Sequence, residues 1–303
     1  MSVVKNRKIF YVISAILFVL SIGALSVWGL NLGVDFKGGS IMEVKYESNR
    51  PELGTLLETL KPLNIAGLTA RSAGTDSFII RAGELSDGAH QIILSTLRLK
   101  GDKVEEKLFS SVGPILGKEA LLKSIWAIVF VLVAIVLFIA FAFRKVSEPV
   151  SSWKYGVIAV VALFHDVLIP TGVFAILGHF KGFEIDTLFV TAILVVLGFS
   201  IHDTIVVFDR VRENLRLDYK GAKTDFEAVV GKSVSQTFVR SINTSLTTLL
   251  ALIVLYFIGP TTTQLFSLVL IIGISIGTYS SIFIASPLLV TVELWQRNRL
   301  TRK

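Results

Sequence analysis

The chain has 303 residues, 52% of them hydrophobic, and a mean hydropathy of +0.70. That is too apolar for an ordinary water-soluble fold and fits a protein that crosses a bilayer several times. Lys and Arg number 30 against 23 Asp and Glu, a formal charge of +7, but they gather in short stretches between apolar runs, which argues for orientation in a membrane and against nucleic-acid binding. There is no cysteine, so disulfides, thiol catalysis and Cys-ligated metals are excluded.

Met1 to Lys8 is short and basic, and Ile9 to Leu30 is long enough to span a bilayer. Ala24-Leu25-Ser26 would pass as a signal-peptide cleavage site. The apolar run nevertheless exceeds the usual ~15-residue signal core, which favours a retained span. Residues 1–31 are thus the N-terminus and first span. Residues 32–123 are polar and mixed, long enough for one small exported domain. Ser40 to Glu47 alternates as a strand does. Pro51 to Leu60 places Leu53, Leu56, Leu57 and Leu60 at helical spacing. Leu68 to Ala73 and Ser77 to Ala82 read as strands joined by Gly74-Thr75-Asp76. Ser86 caps a second helix that runs to about Lys100, buries Ile92, Ile93 and Leu97, and is ended by Gly101. Lys103 to Ser111 is a last strand. The order β-α-β-β-α-β is that of a ferredoxin-like domain, with a looser α+β arrangement as the alternative.

Five further apolar runs follow in residues 124–303: Ile125 to Phe143, Gly156 to Gly178, Thr187 to Phe208, Ile242 to Ile258 and Leu265 to Val292. The fold class is therefore an α-helical membrane protein with six transmembrane helices and one small α+β domain between the first two. A cytoplasmic N-terminus puts Arg144, Lys145, Lys154, Arg210, Arg212, Arg216, Lys220, Lys223, Lys232, Arg240, Arg297, Arg299, Arg302 and Lys303 inside. Lys181 alone falls in the short outer loops, as the positive-inside rule requires. The charged segment 209–240 is a cytoplasmic helical connection, either an orientation signal or a docking surface for a partner.

Three ionisable residues in these spans are candidates for proton handling. Asp203 lies toward the cytoplasmic end of the fourth span, where removal from water favours the neutral acid. It reads as a proton carrier or as one half of a static pair, with Ser200 and Thr204 as hydrogen-bond partners from its own helix. Asp166, beside His165, sits near the middle of the third span and is either a relay member or a neutral acid bonded to a neighbouring helix. Arg240 opens the fifth span at the level of Asp203. A guanidinium that approaches and leaves a carboxylate is what a proton switch needs; the plainer reading is a basic anchor. Asn243 to Thr248 could line a wet path or bond helix to helix, and Gly273 to Gly277 is a GxxxG packing pattern. Gly33, Asp35, Phe36, Gly38 and Gly39 follow the first span, and their glycines permit an unusual backbone path. Walker, HExxH and GxSxG patterns are absent, and the two His-Asp pairs match no recognised metal-ligand spacing, so no metal, cofactor or enzymatic activity is expected.

An exported domain between the first two spans of a six-span half resembles the plan of the RND superfamily of proton-driven transporters. More specifically, Gly33-Val34-Asp35-Phe36-Lys37-Gly38-Gly39 resembles the Asp-Phe-x-Gly-Gly signature of the SecF family of bacterial protein-export membrane proteins. Ser200 to Glu213 resembles that family's fourth-span motif, with His202 where Asn is commoner. Arg240 to Thr248 resembles the start of its fifth span, and Ser111 to Gly117 the approach to its second. The resemblance implies a subunit of the bacterial inner membrane with both termini cytoplasmic. It implies pairing with SecD, association with SecYEG, YajC and YidC, contact with the translocating polypeptide, and use of proton-motive force after the ATP-driven step of SecA. It also matches Asp203 and Arg240 to residues implicated in proton movement. A small-molecule efflux half and a passive scaffold of the channel are the rival expectations.

Overall fold

Alternating apolar residues and a three-residue turn build a four-stranded antiparallel sheet. The computed structural model describes residues 3–47, 50–98, 103–142, 152–218 and 225–300. Strands β1 (Gly39–Tyr46), β2 (Thr69–Ala73), β3 (Ser77–Ala82) and β4 (Val104–Val112) lie in the order β2-β3-β1-β4. Register runs from Ser40 opposite Ala82 to Lys45 opposite Ser77, with a bulge in the β1–β4 pairing between Glu43 and Val44. This is the ferredoxin-like topology, in which each strand pairs antiparallel with its neighbour.

Period-two residues Met42, Val44 and Tyr46 on β1 and Phe78 and Ile80 on β3 form one side of the core. Two helices complete it. One is Leu53–Leu60, through Leu56 and Leu60; the other is Asp87–Arg98, through Ile93, Leu94 and Leu97. Ser86 Oγ accepts from the Ala89 amide at 3.3 Å, as expected of a cap. Ile92 departs from expectation. It is 53% exposed and Leu94 takes its place in the core. At about 100° per residue Ile93, Leu94 and Leu97 fall within one inward arc, and Ile92, a step back from Ile93 on the side away from Leu94, falls outside it.

Two compact units emerge from the chain. One comprises Leu32–Trp126 together with Glu184–Thr187, and the other Met1–Asn31, Ala127–Phe183 and Leu188–Lys303. The short segment Glu184–Thr187, between the third and fourth spans, thus packs with the sheet and not with the bundle.

In chain order the helices are α1 (Arg7–Trp28), α2 (Val34–Lys37), α3 (Leu53–Leu60), α4 (Asp87–Arg98), α5 (Pro114–Ala142), α6 (Ser152–Lys181), α7 (Thr187–Asp218), α8 (Phe226–Ile258), α9 (Thr261–Ser280) and α10 (Ser286–Leu300). A widened π-helical turn, Ser281–Ala285, joins the last two into one span. Among the described residues, six helices are long and apolar enough to cross a membrane. Their apolar stretches are about half buried or more on α6, α7 and α9–α10, but only 6% and 11% buried on α5 and α8, so the former make the bundle interior. Small residues let helices close in. Ser21 of α1 lies directly against Gly172 of α6, and Gly273 and Gly277 of α9 lie against Val196 and Ser200 of α7.

The helices overrun their apolar stretches. Helix α8 starts at Phe226, well before the apolar stretch 242–258, so Arg240 lies inside the helix at the edge of that stretch. The charged connection is two helix ends, joined where Asn214 Nδ2 donates to Ser233 Oγ and Gln236 Oε1, each at 2.8 Å. Gly101, Arg144, Lys145, Lys220, Lys223, Arg302 and Lys303 lie outside the described residues.

Candidate functional site

One face of α7 carries Val196, Ser200, Asp203, Thr204 and Val207, spaced at successive turns and all buried. Gly273 and Gly277 let α9 approach this face closely enough for side chains to bond across it. Asp166 of α6 is fully buried and receives three hydrogen bonds. His165 Nδ1 meets Oδ1 at 2.8 Å, while Ser200 Oγ and Ser280 Oγ donate to Oδ2 at 2.5 and 2.6 Å. Third, fourth and sixth spans are thereby tied at one carboxyl. Next to it, Thr204 Oγ1 and Ser281 Oγ lie 2.8 Å apart, and Ser286 Oγ donates to the Ser281 carbonyl in the widened turn.

Asp203 is built differently. Ser241 Oγ of α8 donates to Oδ1 at 2.7 Å, and Oδ2 is buried with no hydrogen-bond partner among the described residues. The expected bonds from Ser200 and Thr204 are not made. Ser200 instead bonds Asp166 of α6, and Thr204 pairs with Ser281 of the widened turn that follows α9. Arg240 is exposed, one residue before Ser241, within electrostatic reach of Asp203 but not ion-paired to it among the described residues. His202 is exposed on the other side of α7.

The Asn243–Thr248 cluster splits by face. Ser245 lies 2.5 Å from Thr278 of α9, whereas Thr247 and Thr248 bond carbonyls of their own helix. Sequence reasoning assigned no role to Ser241, Thr278, Ser280 or Ser281. The available signal was a run of small hydroxyl residues following the GxxxG pattern. Among the described residues, no group of three or more His, Asp or Glu is placed to hold a metal ion.

The glycine-rich segment after α1 sits in the sheet-bearing unit. Gly38 and Gly39 have φ of 80° and 125°, in the region that favours glycine. A Cβ on Gly38 would stand 2.6 Å from Pro114 Cα, and one on Gly39 2.8 Å from the Ala82 carbonyl. Phe36 is buried. Asp35 Oδ2 accepts from Thr187 Oγ1 at 2.7 Å and from its amide at 3.1 Å, and the Gly33 amide donates to the Ile185 carbonyl at 2.8 Å. Arg81 of β3 pairs with Glu184 at 2.9 Å.

A polytopic membrane protein with one ferredoxin-like domain and buried carboxyls at helix crossings is the class these features define. The profile of the family described as protein export membrane protein SecD/SecF, C-terminal, matches residues 93–295, and the SecD/SecF GG motif matches residues 23–49. The chain belongs to the SecD/SecF family of protein-export membrane proteins. It is 42% identical to a protein translocase subunit SecF of Thermobaculum terrenum, over 96% of this chain and 93% of that one. With a SecF of Anaerolinea thermophila it shares 35% identity, over 97% and 94%. Among solved structures it resembles SecDF, a translocon-associated membrane protein of Thermus thermophilus, with a TM-score of 0.82 at 29% identity. A super-membrane-facing form of SecDF gives 0.68 at 30% identity. The chain is covered over 98% and 100% of its length in these matches, but spans only 39% of each SecDF chain.

Proposed function

We propose that the chain works as the SecF half of a proton-driven protein-export device in the bacterial inner membrane, with both termini cytoplasmic. Its partner is a SecD half. The pair joins the SecYEG channel, with YajC and YidC as accessories, and uses proton-motive force to complete export after SecA has spent ATP. The exported domain helps grip or release the emerging polypeptide.

The observation that carries this reading is the half-satisfied carboxyl of Asp203. A buried carboxyl inside a span is costly and is usually kept for work. Its unpartnered Oδ2 leaves room for a proton, and Arg240 supplies a counter-charge within reach. Asp166 is the second member of the path. Its full set of hydrogen bonds also favours a structural part in holding three spans together.

Support for a second half comes from exposed polar residues on spanning helices. His202, Arg240, Asn243, Thr244 and Thr247 are all exposed in this chain. Hydrocarbon does not solvate such groups, so they call for a wet path or polar helices from a partner. Basic residues at the ends of α1, α7 and α10 support the orientation.

The test is export of a secreted reporter by membrane vesicles containing this chain and SecD, with and without a proton gradient. Asp203→Asn at matched expression should remove the gradient-dependent part and spare the rest. Equal gradient responses in wild type and variant would reject Asp203 as the proton carrier.

A further inference from the structure

The proton path uses none of Gly33–Gly39, yet this segment reaches the ends of two spans and an edge of the central sheet. We infer that Asp35 is a positioning residue that fixes the exported sheet to the first turn of α7, the helix that carries Asp203. This rests on the proton-linked reading above and extends it to the way movement at Asp203 is passed outward.

The geometry is that of a helix cap supplied from far away. Thr187 is the first residue of α7, and its amide and hydroxyl both bond to Asp35, 152 residues earlier in the chain. A carboxylate there satisfies an orphan amide and complements the positive end of the helix dipole. Asp35 itself is held close to the sheet. It lies in the one-turn helix Val34–Lys37, and β1 begins at Gly39. Gly117 makes room for this turn, since a Cβ there would stand 2.9 Å from the Gly38 amide and 3.0 Å from the Phe36 carbonyl.

The other side of the clasp is also tied down. Glu184 pairs with Arg81 on β3, Leu32 bridges to Ile185, and Gly33 packs tightly against this segment, with the Ile185 carbonyl 3.1 Å from where its Cβ would be. The residues that lead into α7 therefore move with the sheet. From Thr187 the helix continues unbroken to Asp218. Asp203 lies about 24 Å down it at ~1.5 Å rise per residue. An unbroken helix transmits translation and rotation along its axis. A shift imposed where Asp203 changes proton state reaches the Asp35–Thr187 contact, and through it β1.

The experiment uses the full chain with SecD in vesicles and the gradient-dependent increment of export as its reading. Four variants are compared: Asp35→Ala, Asp35→Asn, Thr187→Ala, and the double variant Asp35→Ala with Thr187→Ala. Asp203→Asn is run in parallel. Asn is as good a cap as Asp, so Asp35→Asn should keep more than half of the increment. Asp35→Ala should lower it about fivefold, the factor that corresponds to losing one cap, with gradient-independent export unchanged. The double variant should be no worse than Asp35→Ala, because both changes break one contact. Hydrogen exchange in the first turn of α7 should quicken in Asp35→Ala and not in Asp35→Asn. Should Asp35→Ala fold poorly, Thr187→Ala and the exchange comparison carry the same test.

A full increment in Asp35→Ala, with none in Asp203→Asn, overturns the coupling and leaves the proton reading standing. Equal damage from Asp35→Ala and Asp35→Asn, or equal loss of gradient-independent export, also overturns it. A full increment in Asp203→Asn overturns the proton reading, and the coupling falls with it.

Discussion

Replacing Asp166 by Ala removes the acceptor of two bonds between helices, from Ser200 and Ser280, and of one from the neighbouring His165. If each donor were stranded as in a water-soluble core, at ~1–3 kcal/mol apiece, the loss would be about 3–9 kcal/mol. Two facts argue for less. Bonds between membrane helices average about 0.6 kcal/mol and reach about 1.7, since the unfolded chain in the membrane also finds partners. In addition, Ser280 already donates to the Gly277 carbonyl at 3.0 Å, and a helical serine such as Ser200 can turn back to a carbonyl four residues earlier. Two interhelical bonds then give about 1–3 kcal/mol for Asp166→Ala. Asp166→Asn keeps one acceptor oxygen and should cost about 1 kcal/mol. Asp203→Ala loses one bond, from Ser241, and should cost about 0.6 kcal/mol. Unfolding in mixed micelles by SDS titration, followed by tryptophan fluorescence, measures all three. An Asp166→Ala variant within about 0.5 kcal/mol of wild type would refute the claim that this carboxyl ties the spans together. So would Asp203→Ala costing more than Asp166→Ala.

Further expectations concern the sheet-bearing unit. Gly38→Ala forces a Cβ into the Pro114 backbone at a φ of 80°, and neither side can give. It should destabilise that unit by about 1–3 kcal/mol, read as faster proteolysis of the sheet-bearing domain, and unchanged resistance would count against the packing argument. Burial pushes the Glu184 carboxyl up from its usual value, opposed chiefly by the Arg81 guanidinium. The folded chain therefore holds that proton more tightly than the unfolded chain. Stability from this group is full below the unfolded value and is lost as pH rises through the folded one. Glu184→Gln should flatten that fall in a series of unfolding midpoints against pH, and an unaltered slope would contradict it.

The sheet-bearing domain was legible because its signals are local. Met42, Val44 and Tyr46 alternate on one strand, Gly74-Thr75-Asp76 turns a hairpin, and Ser86 caps a helix. Spans were legible because a backbone in hydrocarbon has few choices besides helix. What failed was the assignment of hydrogen bonds between helices. Ser200 and Thr204 stand close to Asp203 in sequence, but Ser200 bonds Asp166 of α6 and Thr204 bonds Ser281 of the widened turn after α9. Periodicity tells which residues share a face and not which helix covers it. The Asp35–Thr187 bond was beyond reach for the same reason, with 152 residues between its ends. The glycine motif announced an unusual backbone path without revealing which helix end it held.

Asp166 and Asp203 divide their work according to what a proton would have to displace. At Asp166, Oδ2 already takes two hydroxyl donors and Oδ1 faces His165. A proton on Oδ2 would displace a serine, whereas one on Oδ1 can be shared with His165 Nδ1 and leaves both serine bonds in place. At Asp203, Oδ2 is bare and Ser241 remains on Oδ1, so protonation there breaks no bond. Its ionised form is the uncomfortable one, with one oxygen buried and unmet, and the nearest help is Arg240 from the exposed side of α8. A bare oxygen at Asp203, against a fully partnered carboxyl at Asp166 that bonds three helices, is the difference on which the proposed proton exchange at Asp203 rests. The serine contacts of Asp166 hold α6 to α7 and α9.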